Sequence, residues 1–185
     1  MIYQHFSKFE IRPEYFDHHS LLHGINHTFR VMVHVLEIGN AAGLKHEIPE
    51  AFCAAFIHDM GRKHDGWCTA HGHWSATRKL PLFKGLFQEI GIDQNGMNNI
   101  KAAATFHSQH DEPEPSDPAF KTIALLKDAD ALDRIRISED DLRPELLRFP
   151  ESHGLIGFAK NLFYETHHLS LLKFSEFHQI AMQLK

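Results

Sequence analysis

The sequence has few cysteines and no long hydrophobic run. Its two cysteines, Cys53 and Cys68, show neither CxxC spacing nor the pattern of a disulfide framework. Because disulfide-rich folds belong to oxidising compartments, we expect a reducing, cytoplasmic setting. The first ten residues lack the continuous apolar core of a signal peptide, and no later stretch has the roughly 20 apolar residues that cross a bilayer. We therefore expect a cytoplasmic protein with no membrane partner.

Neither sign of charge dominates the chain. Its 19 basic and 24 acidic residues give a formal charge of −5 and are spread fairly evenly. Since no basic stripe is available to bind a phosphate backbone, we expect no nucleic-acid polymer as a partner. Histidine is abundant instead, with 17 copies in 185 residues. Histidine is the commonest side-chain metal ligand, although most of these copies must have other roles.

The pattern of apolar residues predicts an all-α fold. With 185 residues and 43% hydrophobic content, the chain fits one domain with its own core. Apolar residues recur with the helical period, and no stretch alternates convincingly as a strand would. We expect an acidic, proline-rich surface loop at 110–118. The predicted helices span 22–42, 48–63, a segment from 71, about ten residues from 81, 93–107, 120–134, 155–168 and 170–184.

A wholly apolar run, 51–57, ends in the pair His58-Asp59. If this run is helical, Asp59 points the way that Phe52 and Phe56 point, toward the core. A buried carboxylate needs a partner, and a cation would serve. For the dipeptide alone, a solvent-facing helix end is the simpler alternative.

Two other predicted helices also carry ligand-type residues on apolar faces. His27 shares a face with Val31, and Asp130 shares one with Ile123. Asp128 and Asp130 lie about 200° apart on a helix, so only one of them can face a metal. The apolar stripe favours Asp130. Two imidazoles and two carboxylates together would suit Mn, Fe, Co, Ni or Zn.

These three motifs resemble, in their order and their neighbours, those of the HD-domain metal-dependent phosphohydrolase superfamily. The matching residues are His27 within 23–31, the doublet within 56–62 and Asp130 within 126–133. The match covers roughly residues 20 to 135. It implies a single HD-type helical domain over 1–185, with the metal site between central helices and peripheral helices over 136–185.

Some members of this superfamily hold two metals through extra histidines between the doublet and the last aspartate. His71 and His107 match those places, and Asp59 would then bridge the two ions. His110 is the alternative to His107, whereas His73 should face away. In a histidine-rich chain, the other explanation is that His71 and His107 fall at these places by chance. We therefore expect one or two divalent ions of Mn, Fe, Co, Ni or Zn, with Mg as a further option.

The resemblance implies hydrolysis of a small phosphate ester or nucleotide by metal-activated water. Asp59 and His58 would be the catalytic residues. We expect Arg62, Arg30 and His23 to bind the phosphorylated substrate. The oligomeric state stays open, a homo-oligomer included.

The residues after the doublet depart from part of the family. In its single-metal nucleotidases and alarmone hydrolases, acidic residues soon after the doublet assist catalysis, but 60–65 contains no glutamate. His64 or Asp65 is left as a proton carrier. One alternative function is that of an HD-type di-iron oxygenase, since myo-inositol oxygenase resembles this ligand arrangement. Another is a non-catalytic, metal-stabilised binding module.

The remaining ionisable residues are expected to be structural. Asp128 and Asp133 would be caps or salt-bridge partners, with Arg134 as a candidate partner. His34 would be a core histidine with satisfied ring nitrogens. The histidines without a motif are expected at the surface: His18, His19, His153, His167, His168 and His178.

Overall fold

A computed structural model describes residues 2–111 and 113–185, and within them the chain is an all-helical bundle without β-strands. The fold-class prediction is confirmed. The α-helices are α1 Ile25–Ala41, α2 Glu47–Ile57, α3 His71–Trp74, α4 Leu80–Glu89, α5 Gln94–Phe106, α6 Phe120–Leu132, α7 Pro150–Gly154, α8 Ile156–Thr166 and α9 Phe174–Met182. A π-helical segment, Ser75–Lys79, joins α3 to α4. Short 3₁₀ helices are Ile2–Lys8, Pro13–Tyr15, Asp133–Arg136, Glu139–Asp141 and Pro144–Leu146.

Helix α2 lies at the centre of the bundle. Every residue from 51 to 57 is buried, as expected for a helix that is apolar all round. The helix packs against α1, α5 and α6. Phe52 and Phe56 both contact the ring of Phe9 edge-on, and burying each such side chain stabilises the fold by about 1.5–3 kcal/mol. No helix among the described residues is long and apolar enough to span a bilayer.

Helix α2 ends at Ile57, so the prediction that it continues to Lys63 is wrong. The N–H of Met60 donates to the Ile57 carbonyl three residues back, and the N–H of Arg62 donates to that of Asp59. This i to i+3 pattern tightens the chain into a turn. The His58-Asp59 doublet therefore lies in a turn after the helix, where consecutive side chains can face the same site.

Gly61 brings the next helical segment close to this turn. Its N–H donates to the hydroxyl of Ser75 over 2.9 Å. A Cβ atom on residue 61 would lie 2.5 Å from the Ser75 backbone nitrogen, so only glycine fits here without a shift of the backbone. The contact fixes where the α3 segment runs beside the doublet.

The two ends of the chain complete the core around α1. Phe174 and Phe177 of α9 are fully buried and contact the ring of Phe29 on α1. The N-terminal segment, for which no helix was predicted, forms a 3₁₀ helix that buries Phe6 against the same cluster. Apolar side chains from the first and last segments thus join one hydrophobic core.

Candidate metal centre

The bundle brings together all six side chains that the sequence nominated as metal ligands. They come from the first turn of α1, the turn after α2, the start of α3, the end of α5 and the last part of α6. The six residues are His27, His58, Asp59, His71, His107 and Asp130. They are far apart in the sequence, so their convergence depends on the packing of the central helices.

The first group of ligand atoms lies between α1, the doublet and α6, and we call His27, His58 and Asp130 the first cluster. The His27 Nε2 atom is 3.1 Å from His58 Nε2 and 3.4 Å from Asp130 Oδ1. Asp59 contributes its Oδ2 atom, 3.4 Å from His27 Nε2. The three cluster residues lie close enough together to hold one ion.

The second group lies on the other side of the same aspartate, and we call His71 and His107 the second cluster. Their Nε2 atoms are 2.9 Å apart. Asp59 Oδ1 is 3.0 Å from His71 Nε2 and 3.6 Å from His107 Nε2. Asp59 therefore presents one oxygen to each cluster.

Hydrogen bonds on the far side of the rings fix how the histidines present their nitrogens. Three of the rings have Nδ1 at 2.7 Å from a backbone carbonyl three residues earlier: His58 with Ala55, His71 with Cys68 and His107 with Ala104. A carbonyl oxygen can only accept, so Nδ1 carries the proton and donates it. In the neutral ring, Nε2 then holds a lone pair directed into the centre.

For His27, the side chain of Asp133 takes the place of the backbone carbonyl and accepts the hydrogen bond from Nδ1. The expected pairing of Asp133 with Arg134 is wrong. The Asp133 Oδ2 atom lies 2.7 Å from His27 Nδ1, and its two oxygens accept from Arg30 Nε and Nη2 over 2.5 and 3.1 Å. Arg134 pairs with Asp141 instead. Burial raises the pKa of Asp133, but Arg30 and His27 outweigh it and hold the pKa well below its usual range.

Asp133 is the supporting residue that the sequence analysis missed. Two spacings could have signalled it. Arg30 follows His27 by three residues, and Asp133 follows Asp130 by three residues, so each pair lies on one helical face.

The charge states of the centre favour a cation. Burial lowers the pKa of His58 to about 3, and it also lowers the pKa of His71, so these rings are neutral at pH 7. Facing lone pairs at 3.1 and 2.9 Å repel one another unless a cation lies between them. Within the described residues, the buried Oδ1 of Asp130 has no hydrogen-bond donor. These buried histidine and aspartate groups could hold a metal ion.

The two carboxylates are ionised within this buried site. Burial raises the pKa of Asp130, but the nearby Arg136, His27 and His58 outweigh that effect and lower the pKa to about 2. For Asp59, the surrounding histidines likewise outweigh burial and hold the pKa well below its usual range. Both side chains can therefore offer a full negative charge to a cation at neutral pH.

Arg62 lies at the edge of the second cluster. Its Nε atom is 3.4 Å from Asp59 Oδ1, and its Nη1 donates to the carbonyls of His64 and Gly66. The side chain therefore links Asp59 to the loop that leads to His71. Arg62 was expected to bind substrate, and the structure places it beside the centre.

Arg30 and Arg136 lie on the opposite side, near the first cluster. Arg30 is buried, and its Nε and Nη2 atoms are bonded to Asp133. Arg136, which the sequence analysis did not nominate, places Nη1 3.8 Å from Asp130 Oδ1. Its Nε donates to the Leu22 carbonyl over 2.8 Å, so the side chain is held in place.

His23 lies one helical turn before His27, and their ring centres are 6.0 Å apart. Its Nδ1 is 3.0 Å from Asp65 Oδ1. Burial lowers the pKa of His23 to about 4, so the ring is neutral at pH 7. His23 and Asp65 form a histidine–carboxylate pair next to the first cluster.

Asp128 faces away from the centre, as the helical geometry predicted. Its Oδ2 atom accepts from the N–H of Phe149 and the hydroxyl of Ser152. These bonds hold the start of α7 against α6. Asp128 also pairs with Arg148 over 3.3 Å, so it is a salt-bridge partner, which was one of its two expected roles. Asp130, two residues on, faces His27 instead.

Other histidines separate clearly from the six ligand candidates. His73 is exposed, as expected, and exposed His110 stacks on Trp67 rather than joining His107. His34 is buried as predicted, but within the described residues neither ring nitrogen has a hydrogen-bond partner. The expectation that its nitrogens are satisfied is therefore wrong.

Comparisons with protein-family models, with curated proteins and with solved structures found no match. A helical bundle with this histidine–aspartate cluster is compatible with an HD-type site. The family resemblance rests on the residues and their arrangement alone.

Proposed function

We propose that this protein is a metal-dependent phosphohydrolase of HD type whose centre holds two divalent cations on either side of Asp59. One observation carries the proposal: four histidine Nε2 atoms lie within 3.7 Å of Asp59, two near each of its oxygens. A structural salt bridge would need donors at these positions, whereas the hydrogen bonds on Nδ1 leave acceptors there.

The ligand set divides between two ions. His27, His58 and Asp130 would hold the first ion. His71 and His107, whose Nε2 atoms are 2.9 Å apart, would hold the second. Asp59 would bridge them with one oxygen each. Imidazole and carboxylate ligands without thiolate suit Mn, Fe, Co, Ni or Zn. The partners on Nδ1 support this role, because metal-binding histidines usually donate the other ring N–H to an oxygen.

Bound divalent ions lower the pKa of their water toward ~7 and polarise the phosphoryl oxygen of a substrate. Arg62 and Arg136 flank the two sides of the centre and would pair with the charge on the phosphoryl oxygens. Asp59 has both oxygens directed at histidines, which favours a bridging role over that of proton acceptor. The substrate class is a small phosphate ester, nucleotides included.

The pair His23–Asp65 is our candidate for proton transfer. Asp65 fixes Nδ1 of His23 and so leaves Nε2 to accept a proton from the attacking water. The ring is neutral at pH 7 because burial lowers its pKa to about 4. A His23→Gln variant should therefore lose turnover while keeping its metal content.

An oxidative function is the second candidate, and the ratio of four imidazoles to two carboxylates favours it. Such a set suits iron, and iron in a dinuclear centre can support chemistry with O₂. Metal identity and a requirement for O₂ distinguish the two candidates.

The first test is metal analysis of the purified protein and of a matched pair of variants, His71→Ala and His73→Ala. His71 points at Asp59, whereas His73 lies two residues away and is exposed. We expect His71→Ala to lose one of two ions and His73→Ala to keep both. The same preparations are then assayed on phosphomonoesters, phosphodiesters and nucleotides with each divalent metal.

The outcomes are distinct. Phosphate release that disappears with His58→Ala and survives in His73→Ala supports hydrolysis. Two equivalents of iron, with O₂ consumption and no phosphate release, would replace hydrolysis by the oxidative candidate. An equal metal content in His71→Ala and His73→Ala would reject the second ion.

A further inference from the structure

A cavity of about 670 Å³ lies between the start of α1 and the segment 167–172, which joins α8 to α9. We call it the α1 cavity. None of the six ligand candidates lines it. The residues that line it range from exposed to buried: Leu21 is fully exposed, whereas Arg30 is only 2% exposed. The exposed leucine therefore marks the opening and the buried arginine marks the floor.

The floor of the α1 cavity carries a hydrogen-bond donor without a partner. Arg30 and Arg136 both line the cavity. Arg30 pairs with Asp133, and Arg136 lies near both Asp130 and Asp133, so the charges of the two arginines are matched. Within the described residues, however, the buried Nη1 of Arg30 has no hydrogen-bond partner. An unpaired buried guanidinium nitrogen is costly, and an acceptor on a ligand would remove that cost.

The start of α1 adds to this preference for an anion. Gly24, Ile25 and Asn26 line the α1 cavity, and the helix that begins there is 17 residues long. No side chain among the described residues caps its first turn. The free N–H groups and the helix dipole make this end attractive to negative charge.

The opening of the cavity is apolar. Leu21 and Leu22 are exposed leucines on its wall, and Phe163 lines it as well. Exposed apolar side chains that gather at a cavity favour an apolar ligand group there. The lining therefore matches a molecule with a negative group at one end and a hydrocarbon body at the other.

We propose that the α1 cavity binds a small organic acid with an aliphatic body, whose carboxylate or phosphate group contacts Arg30 Nη1 and the start of α1. The site is separate from the proposed metal centre, and its existence does not depend on hydrolysis. The two sites share a wall, however, because Arg136 Nη1 lies 3.8 Å from Asp130 Oδ1.

Calorimetric titration of the full chain tests this site with three probes of equal length: octanoate, 1-octanol and octylammonium. We expect octanoate to bind at least about tenfold more tightly than the other two, because only its carboxylate can accept a charge-assisted hydrogen bond from Arg30. Octyl phosphate then distinguishes a phosphate ligand from a carboxylate one. The titrations are repeated with excess chelator, so that an ion at Asp59 cannot bind the probe.

A matched pair of variants locates the binding. Leu22→Glu puts a carboxylate into the α1 cavity while keeping the backbone carbonyl that Arg136 bonds. Leu82→Glu makes the same change at an exposed position on α4 that does not line the cavity. We expect at least about a tenfold loss of octanoate affinity in the first variant and no change in the second.

Several results would overturn the proposal. They are equal affinity for octanoate and octylammonium, equal effects of Leu22→Glu and Leu82→Glu, no octanoate binding at any soluble concentration, or binding that disappears with chelator. None of these results bears on metal content or phosphate release, so this site and the proposed activity fail or survive separately.

Discussion

His27 and His34 lie two turns apart on the same face of α1, and both side chains are fully buried. His27 has Asp133 on one ring nitrogen and faces His58, Asp59 and Asp130 with the other. Within the described residues, His34 has no partner on either nitrogen, and the ring of Phe158 packs edge-on against it. Burial alone therefore does not identify a candidate metal ligand. A ring nitrogen that faces several other ligand atoms does.

Replacing Asp133 with asparagine should produce the largest effect, because Asp133 is what makes the two histidines different. The change leaves the charge of Arg30 buried without its counter-ion. Breaking a buried pair in this way typically costs about 3–5 kcal/mol. Urea unfolding of the metal-free protein measures the free energy of unfolding.

The control for this variant is Asp141→Asn, which removes an exposed ion pair with Arg134. Exposed pairs contribute about 0–1 kcal/mol, so little change is expected. Equal losses of stability in the two variants would mean that the buried network around His27 does not support the fold.

The second prediction compares the two histidines directly through metal binding. His27→Ala should weaken binding of the first ion by more than the ~10–100-fold that loss of a supporting partner causes. His34→Leu should leave the affinity unchanged, because neither of its nitrogens faces the centre. Competition with a chelator measures both affinities. If both variants lost the ion equally, the assignment of His27 as a ligand would be wrong.

The third and smallest effect concerns the stability of the His34 region at acid pH. Burial lowers the pKa of His34 to about 4, whereas an unfolded histidine titrates near ~6.5. Between these values the unfolded chain binds a proton that the folded chain does not, so stability falls as the pH falls. His34→Leu removes this loss. Relative to the wild type, its free energy of unfolding should therefore be about 2 kcal/mol more favourable at pH 5 than at pH 8.

Unfolding of the wild type and His34→Leu at both pH values checks this difference. The other buried histidines titrate in both proteins, so their contributions cancel in the comparison. A variant with the same relative stability at pH 5 and pH 8 would show that His34 is not the source of the acid sensitivity.

The sequence predicted the all-helical fold, and it nominated six side chains that the structure brings together. The helical period predicted α5 over 93–107, and in the structure Asp93 caps the helix by accepting from the Gly96 N–H. Helical geometry also separated Asp130 from Asp128. Each of these inferences used residues within one turn or one helix.

Features that depend on contacts between distant segments were not predicted. The end of α2 at Ile57 follows partly from packing, since the N–H of Asp17 bonds the Met60 carbonyl. The pairing of Asp133 with Arg30 joins α6 to α1, and no local pattern states which arginine it chooses. The lack of any partner on the ring nitrogens of His34 was likewise not predicted.

The contact between Gly61 and Ser75 has a consequence for how this sequence can vary. A side chain at position 61 would push against the backbone at 75, and loss of the Ser75 hydroxyl would leave the Gly61 N–H without its acceptor. The two positions are therefore coupled through one contact. In natural variants of this chain we expect them to change together, with any replacement at 61 accompanied by a different spacing between the doublet and His71.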